Sequence, residues 1–168
     1  ERDDLPAGVL GAARPIAGVL YVPVKDLLYF AWEGGGAYRQ HDAATHAAAS
    51  AYERDSHADR LPVTDQRPAF TIVASRSHQS PETEAFIQRM EARHGSIALA
   101  SMGSALKICL VAEGAADVYP RYAPTMEWDT AAGHAIVNEA GRRLIDITTG
   151  APMRYNKHEL VNNWFIVE

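Results

Sequence analysis

The chain has 168 residues, a formal net charge of -5, and 47% hydrophobic and 22% charged residues. This composition excludes a disordered chain and predicts a globular protein with a sizeable core, and the acidic balance disfavours binding to a nucleic-acid polymer. No apolar run reaches the ~18 residues of a membrane span, and the single cysteine, Cys109, excludes an internal disulfide and indicates a reducing compartment. We therefore expect a cytoplasmic protein, with peripheral attachment to the inner membrane left open.

The first part of the chain predicts a β-hairpin. Residues 16–24 and 27–32 are apolar and rich in β-branched and aromatic side chains, with a polar turn between them. The glycine run 34–36 predicts a turn, because no phosphate-loop motif surrounds it. A third short strand is expected to start at residues 37–39.

Residues 40–66 are polar and alanine-rich, which predicts an exposed connector with weak helical character over residues 43–52. The connector contains His41, His46 and His57. Their spacing is not typical of a zinc site, so zinc binding is the weaker alternative to solvated side chains.

From Phe70 onward, strand-like and helix-like segments alternate, which favours an α/β layer arrangement. Strands are predicted at residues 70–74, 97–100, 116–119, 142–145 and 163–167. Helices are predicted from the N-cap Ser80 to Gly95, from the N-cap Ser104 to Gly114, and over residues 130–140.

Asp129 is the main candidate for chemistry, because it lies at the entrance to the small-residue helix 130–140. A carboxylate there can hold a hard cation, and the helix start offers free N–H groups and the positive end of the helix dipole. Together they suit a phosphate. On the residue alone, a plain N-cap without a ligand is the alternative to a Mg²⁺ ligand.

Three further side chains carry donors suited to phosphate oxygens: Ser104, Lys107 and Arg121. Lys107 follows Ser104 by one helical turn among apolar neighbours, where an anionic ligand would explain a lysine. Arg121 follows a strand end, where open α/β sheets bind ligands. Solvated surface charges are the alternative for both. The polar segment 75–78, which ends at His78, also follows a strand directly.

Two other reactive residue types are predicted to be structural. Cys109 falls on the apolar face of its helix, which favours a core position over a nucleophile. His134 lies inside the helix of Asp129 and is predicted to be packed rather than to bind a metal.

The sequence Trp-Asp-Thr-Ala-Ala-Gly at residues 128–133 resembles the inositol monophosphatase superfamily. Residues 103–121, Gly-Ser-Ala-Leu-Lys-Ile-Cys-Leu-Val-Ala-Glu-Gly-Ala-Ala-Asp-Val-Tyr-Pro-Arg, and the Ala-Ser-Arg-Ser-His of residues 74–78 resemble its branch of 3'(2'),5'-bisphosphate nucleotidases of the CysQ type. The resemblance runs from about Ile16 to the C-terminus. Arg142 departs from it, because a second small residue usually follows Gly141.

The resemblance implies the C-terminal part of a layered α-β-α-β-α sugar-phosphatase fold, with a β-hairpin from the adjoining sheet. It implies Mg²⁺-assisted hydrolysis of 3'-phosphoadenosine 5'-phosphate, a small phosphate ester connected with bacterial sulfur assimilation. Asp129 would be the catalytic Mg²⁺ ligand. The implied substrate-binding residues are Gly103, Ser104, Lys107, Arg121 and Thr130, with His78 near the base or ribose.

The N-terminus departs from the family. The Glu-Glu metal motif and the Asp-Pro-Leu-Asp-Gly-Thr motif are absent, and the chain starts without an initiator Met or a signal-peptide pattern. We therefore expect a C-terminal portion that is inactive alone. Residues 1–66 would be the hairpin and connector of an incomplete N-terminal α+β lobe, and residues 67–168 the C-terminal α/β lobe that carries the site. An inositol or sugar monophosphatase and a non-catalytic anion-binding module are the alternative functions.

Overall fold

The predicted hairpin is present in the computed structural model of the protein, which describes residues 11–46, 57–64, 66–74 and 80–168. Its strands extend into a four-stranded antiparallel sheet of order β1-β2-β3-β4. A 3₁₀ turn, Pro23–Lys25, connects the first two strands. The strands are β1 (Ala17–Val22), β2 (Leu27–Trp32), β3 (Gly36–His41) and β4 (Ala58–Arg60).

The second half of the chain forms the predicted α/β arrangement. Strands β5 and β6 are parallel, the antiparallel set has the order β7-β9-β8, and a bridge between Ile72 and Val118 connects the two groups. The strands are β5 (Phe70–Val73), β6 (Ile97–Ala100), β7 (Tyr119–Arg121), β8 (Leu144–Asp146) and β9 (Phe165–Val167). The helices are α1 (Pro81–His94), α2 (Leu106–Ala112) and α3 (Glu127–Glu139).

Helix α1 follows its local signals closely. The hydroxyl of Ser80 accepts the backbone N–H of Thr83 at 3.3 Å, Pro81 is the first helical residue, and Gly95 ends the helix at a φ of 75°. These features confirm the predicted cap and both bounds.

The other predicted bounds were wrong in part. Ser104 is not an N-cap, because α2 begins after Ala105. Helix α3 begins three residues before the predicted start, at Glu127. Strands β7, β8 and β9 also begin later than predicted. For β8 the reason is that Gly141 and Arg142 still complete the end of α3, where their N–H groups donate to the carbonyls of residues 138 and 137.

In the connector, residues 43–46 form a turn, and the rest of the predicted helix at residues 43–52 lies outside the described residues. His41, His46 and His57 are exposed, as predicted, and the rings of His46 and His57 stack with centres 4.9 Å apart. None of the helices in the described ranges is long and apolar enough to span a membrane.

One core joins the hairpin sheet to the α/β half. Val22, Leu27 and Tyr29 from the sheet share this core with Ile108 of α2 and Phe165 of β9. The core therefore contains residues from both sides of the proposed boundary at residues 66 and 67, and the two-lobe division stays a prediction.

Helix α3 packs so closely against the hairpin that the two backbones are nearly in contact. A Cβ placed on Gly18 of β1 would lie 2.2 Å from the carbonyl oxygen of Ala132. On another face of α3, a Cβ on Gly133 would lie 3.0 Å from Ile108 of α2. The small residues of the helix thus permit close contact with both neighbours.

The C-terminal end of α3 is also attached to the hairpin. The carboxylate of Glu139 accepts the backbone N–H groups of Gly34 at 3.2 Å and Gly36 at 3.0 Å. Gly34 and Gly36 have φ values of 73° and 90°, which other residues rarely adopt. The predicted glycine turn is therefore both a hairpin end and a docking point for α3.

Substitution of Gly18 by Ala should destabilise the protein by about 2 kcal/mol or more, because the new methyl group forces β1 and α3 apart. Urea unfolding measures the change. Gly103→Ala is the matched control, because nothing lies within 4 Å of a Cβ at Gly103, and it should stay within about 1 kcal/mol of wild type. Equal unfolding midpoints for the two variants would contradict the packing argument.

Candidate functional site

A pocket of about 270 Å³ lies where the start of α2, strand β7 and the first turn of α3 meet. It brings together most of the residues singled out from the sequence. Its lining residues are Ser104, Ala105, Lys107, Ile108, Tyr119, Arg121, Pro124, Thr125, Asp129, Thr130 and Phe165. Gly103 adjoins this lining through Ser104, whereas His78 lies outside the described residues.

Lys107 and Arg121 give the pocket its positive charge. Lys107 Nζ lies 5.7 Å from the ring centre of Tyr119. Partial burial lowers the pKa of Lys107, and the positive charge of Arg121 lowers it further. Two cations held close together in a partly desolvated pocket favour an anion between them.

The donors of Arg121 are only partly used. Its Nη2 donates to the carbonyl of Pro124 at 3.3 Å, while its buried Nε has no hydrogen-bond partner within the described ranges. No ion pair joins Lys107 or Arg121 to a carboxylate among these residues. A buried donor without a partner is uncommon, and an anionic ligand would satisfy it.

Ser104 enters the pocket from an unusual backbone conformation. Its φ is 50°, the left-handed region that non-glycine residues rarely adopt. Its carbonyl, not its hydroxyl, accepts the N–H of Lys107 at 3.3 Å. The predicted capping role is therefore wrong, and the turn instead places residue 104 on the pocket wall beside Lys107.

Asp129 is both a helix-end residue and a pocket residue. It is the third residue of α3, and its Oδ2 accepts the backbone N–H of Met126 at 2.8 Å. This is half of a capping box, so one carboxylate oxygen is held in place while the side chain lines the pocket. The predicted N-cap position of Asp129 is wrong, because Met126 is the N-cap. Its hydrogen bond to the Met126 N–H and a role as a ligand group are compatible.

The donor set fits Mg²⁺ only in part. Mg²⁺ takes six oxygen ligands, and Asp129 is the carboxylate that lines this pocket. No group of three or more His, Cys, Asp or Glu side chains that could hold a metal ion occurs among the described residues. These residues therefore fit one ligand position of a Mg²⁺ ion and do not form a complete site.

Sequence reasoning missed Glu127, which fixes the start of α3. Its carboxylate accepts the backbone N–H groups of Asn156 at 2.8 Å and Lys157 at 2.9 Å, and Lys157 Nζ at 2.7 Å. Burial alone would raise the pKa of Glu127, but these hydrogen bonds and the charge of Lys157 outweigh it and lower the pKa. The sequence shows an acidic residue two positions before Asp129, but the partners of Glu127 lie about thirty residues further along the chain.

Asn162 is the second residue that the sequence did not reveal. The two hydrogens of its side-chain amide are shared among three acceptors, the carbonyl of Met126 at 2.8 Å and the hydroxyls of Thr130 at 3.0 Å and Thr125 at 3.1 Å. It therefore connects the C-terminal loop to the residues that form the pocket edge at the beginning of α3.

Cys109 and His134 occupy the buried positions predicted for them. Cys109 is fully buried, and burial raises the pKa of its thiol. His134 is 1% exposed, and burial, together with the charge of Arg154, lowers its pKa to about 4. Neither residue lines the pocket.

The comparisons with known proteins show which family the chain belongs to. Residues 7–165 match the model of the inositol monophosphatase family. The chain is 38% identical to the "3'(2'),5'-bisphosphate nucleotidase CysQ" of Shigella flexneri over 147 residues, which is 87% of this chain and 51% of that protein. The Escherichia coli K12 protein of the same name is also 38% identical, over 146 residues.

The solved structures show the same fold. The crystal structure of CysQ from Bacteroides thetaiotaomicron, described as a bacterial member of the inositol monophosphatase family, is 51% identical and superposes with a TM-score of 0.85. It covers 93% of this chain, which covers 58% of it. Inositol monophosphatase II from Staphylococcus aureus, 22% identical with a TM-score of 0.64, shares the fold alone. The predicted sugar-phosphatase fold is confirmed, and the chain spans about half the length of the curated relatives it matches.

Substitution of Glu127 by Gln should reduce stability at pH 7 by about 1.5–3 kcal/mol, the range for hydrogen bonds to charged groups. Because the folded-state pKa of Glu127 lies below its ordinary value of 4.5, its stabilising effect is present above pH 4.5 and is lost as the pH falls through the lowered value. Urea unfolding at several pH values should show wild type and variant converging in acid. Glu82→Gln, in the first turn of α1, is the matched control and should change stability by less than about 0.5 kcal/mol. A constant difference between wild type and Glu127→Gln from pH 7 to pH 3 would contradict this account.

Proposed function

This chain belongs to the inositol monophosphatase family, and on that basis we propose that it supplies the substrate-binding part of a Mg²⁺-dependent 3'(2'),5'-bisphosphate nucleotidase. The substrate is 3'-phosphoadenosine 5'-phosphate, and the products are AMP and phosphate. The observation that carries the proposal is the pair Lys107 and Arg121, which face one pocket without a carboxylate partner in the described part of the chain.

The pair suits a substrate with two phosphates. One phosphate reacts, and the other remains available to Lys107 Nζ and the guanidinium of Arg121. Each charge-assisted contact contributes roughly 1.5–3 kcal/mol. An inositol monophosphate would leave both cations opposite neutral hydroxyls, so these residues favour a bisphosphate nucleotide over a sugar monophosphate.

The remaining roles follow from position. Ser104 would donate its hydroxyl to a phosphate oxygen from its left-handed turn, next to Gly103. Asp129, held by the Met126 N–H, would be one ligand of Mg²⁺. When bound, Mg²⁺ polarises phosphoryl oxygens and lowers the pKa of coordinated water. In this proposal its other ligands lie outside the described residues, His78 belongs to the substrate-binding region, and Thr130 forms part of the pocket wall.

The 168-residue chain alone should release no measurable phosphate from 3'-phosphoadenosine 5'-phosphate in the presence of Mg²⁺, because its described residues place a single carboxylate at the pocket. A phosphate-release assay measures this. Lys107→Ala is the control for a contaminating phosphatase, since contaminant activity is independent of Lys107. Activity that falls in Lys107→Ala would show that the chain itself is catalytic.

The chain should bind 3'-phosphoadenosine 5'-phosphate more tightly than inositol 1-phosphate. Replacement of both Lys107 and Arg121 by Ala should weaken bisphosphate binding by at least ~100-fold, because two charge-assisted contacts are lost. Inositol 1-phosphate should be affected much less. Isothermal titration calorimetry of both ligands, without metal, measures the ratio of affinities.

Lys25→Ala with Arg93→Ala is the matched control, because it removes the same charge and neither residue lines this pocket. An equal loss of bisphosphate binding in the control would indicate generic electrostatics. Equal affinity of the wild-type chain for both ligands would favour the sugar-phosphatase alternative.

A further inference from the structure

A network of buried hydrogen bonds adjoins Asp129. Its centre is the hydroxyl of Thr130, which is 1% exposed. Thr130 Oγ1 donates to the carbonyl of Glu127 at 3.3 Å, with Met153 Sδ as a second and more distant acceptor at 4.0 Å. It accepts from Asn162 Nδ2 at 3.0 Å and from Tyr155 Oη at 3.3 Å.

These bonds use the full capacity of the hydroxyl. A threonine hydroxyl has one proton to donate and two lone pairs to accept with. The proton is shared between the carbonyl of Glu127 and the sulfur of Met153, and the two lone pairs face Asn162 and Tyr155. A phosphate oxygen would need the proton and a metal ion would need a lone pair, so the hydroxyl of Thr130 has nothing left for either.

The network continues into the core through Tyr155 and His134. Tyr155 Oη donates to Thr130, and it lies 3.0 Å from His134 Nδ1. We assign the proton of His134 to Nδ1, because Tyr155 Oη has one proton and directs it at Thr130, which leaves Nδ1 as the donor in the second bond. Its Nε2 is buried without a hydrogen-bond partner in the described part of the chain, which suits an unprotonated nitrogen better than an N–H group. With a pKa of about 4, His134 is neutral at pH 7.

The same network reaches Asp129 from two directions. Thr130 is its neighbour in the chain. Asn162, which donates to Thr130, also donates to the carbonyl of Met126 at 2.8 Å, and the N–H of Met126 holds the Asp129 carboxylate at 2.8 Å. The backbone on both sides of the carboxylate is thereby fixed.

We propose that Thr130, Tyr155 and Asn162 are positioning residues that hold Asp129 at the pocket wall, and that the hydroxyl of Thr130 does not contact the substrate. This inference rests on the proposed function of the pocket. It separates Thr130 from Lys107 and Arg121, whose free donors point to direct contact.

The test uses the 168-residue chain and NMR measurements that need no ligand. The first reports the amide hydrogen exchange of Met126, the donor to Asp129. Thr130→Val, which removes the hydroxyl at similar shape, and Tyr155→Phe should each accelerate this exchange by about tenfold. Thr130→Ser should restore it to the wild-type rate. Tyr38→Phe removes a hydroxyl bound to Gly35, outside the network, and should leave it unchanged.

The second measurement is the ¹⁵N shift of the His134 ring. In wild type it should report the Nδ1–H tautomer, and Tyr155→Phe should shift the population towards Nε2–H, because the acceptor for Nδ1–H is gone. An unchanged Met126 exchange rate in folded Tyr155→Phe would overturn the proposal, and this variant decides the matter if Thr130→Val does not fold. An Nε2–H tautomer in wild type would also overturn it.

Titration with 3'-phosphoadenosine 5'-phosphate separates this inference from the proposed function. Thr130→Val and Tyr155→Phe should change the affinity by the same factor. A loss confined to Thr130→Val would show direct contact and overturn the positioning role. If wild type binds no bisphosphate, the proposed function fails, while the exchange and ¹⁵N measurements still decide whether the network positions Asp129.

Discussion

The close approach of α3 to its neighbours is the constraint on which the pocket depends. At Gly18 the backbones of β1 and α3 are too close for a side chain, and Gly133 leaves room for Ile108 of α2. Since α2 carries Lys107 and α3 carries Asp129, the distance between these helices determines the distance between the cationic and the acidic wall. The small residues of α3 therefore serve the site through packing, although they contribute no functional group.

The pocket also depends on how charge is distributed over an acidic chain. Two half-buried arginines have carboxylate partners: Arg39 pairs with Glu113 and Asp59, and Arg67 pairs with Asp117. These ion pairs neutralise the positive charge of the two arginines. Within the described ranges Lys107 and Arg121 have no such partner, so a protein with net charge -5 still offers a locally positive pocket. Selective pairing, rather than overall charge, determines where an anion can bind.

The sequence predicted those parts of the fold whose signals are local. The hairpin, the cap of α1 at Ser80 and the membership of Lys107, Arg121 and Asp129 in one site follow from alternation, capping chemistry and recognisable motifs. The predicted start of α3 was too late because Asp suits an N-cap position, whereas Asp129 is the third residue of the helix. Glu127 and Asn162 were missed because their partners, Lys157 and Thr130, come from distant positions that only the folded chain brings together.

Asp129, Thr130 and Gly133 show how one helical turn can serve separate purposes. Successive helical residues point about 100° apart, so neighbouring residues in the sequence face different surroundings. Asp129 faces the pocket, the hydroxyl of Thr130 faces the buried network, and Gly133 faces α2. A change at Gly133 or Thr130 would therefore reach the carboxylate indirectly, through a displaced helix or a loosened first turn. In this proposal the Asp-Thr-Ala-Ala-Gly stretch contains one ligand residue, Asp129, followed by residues that keep it in place.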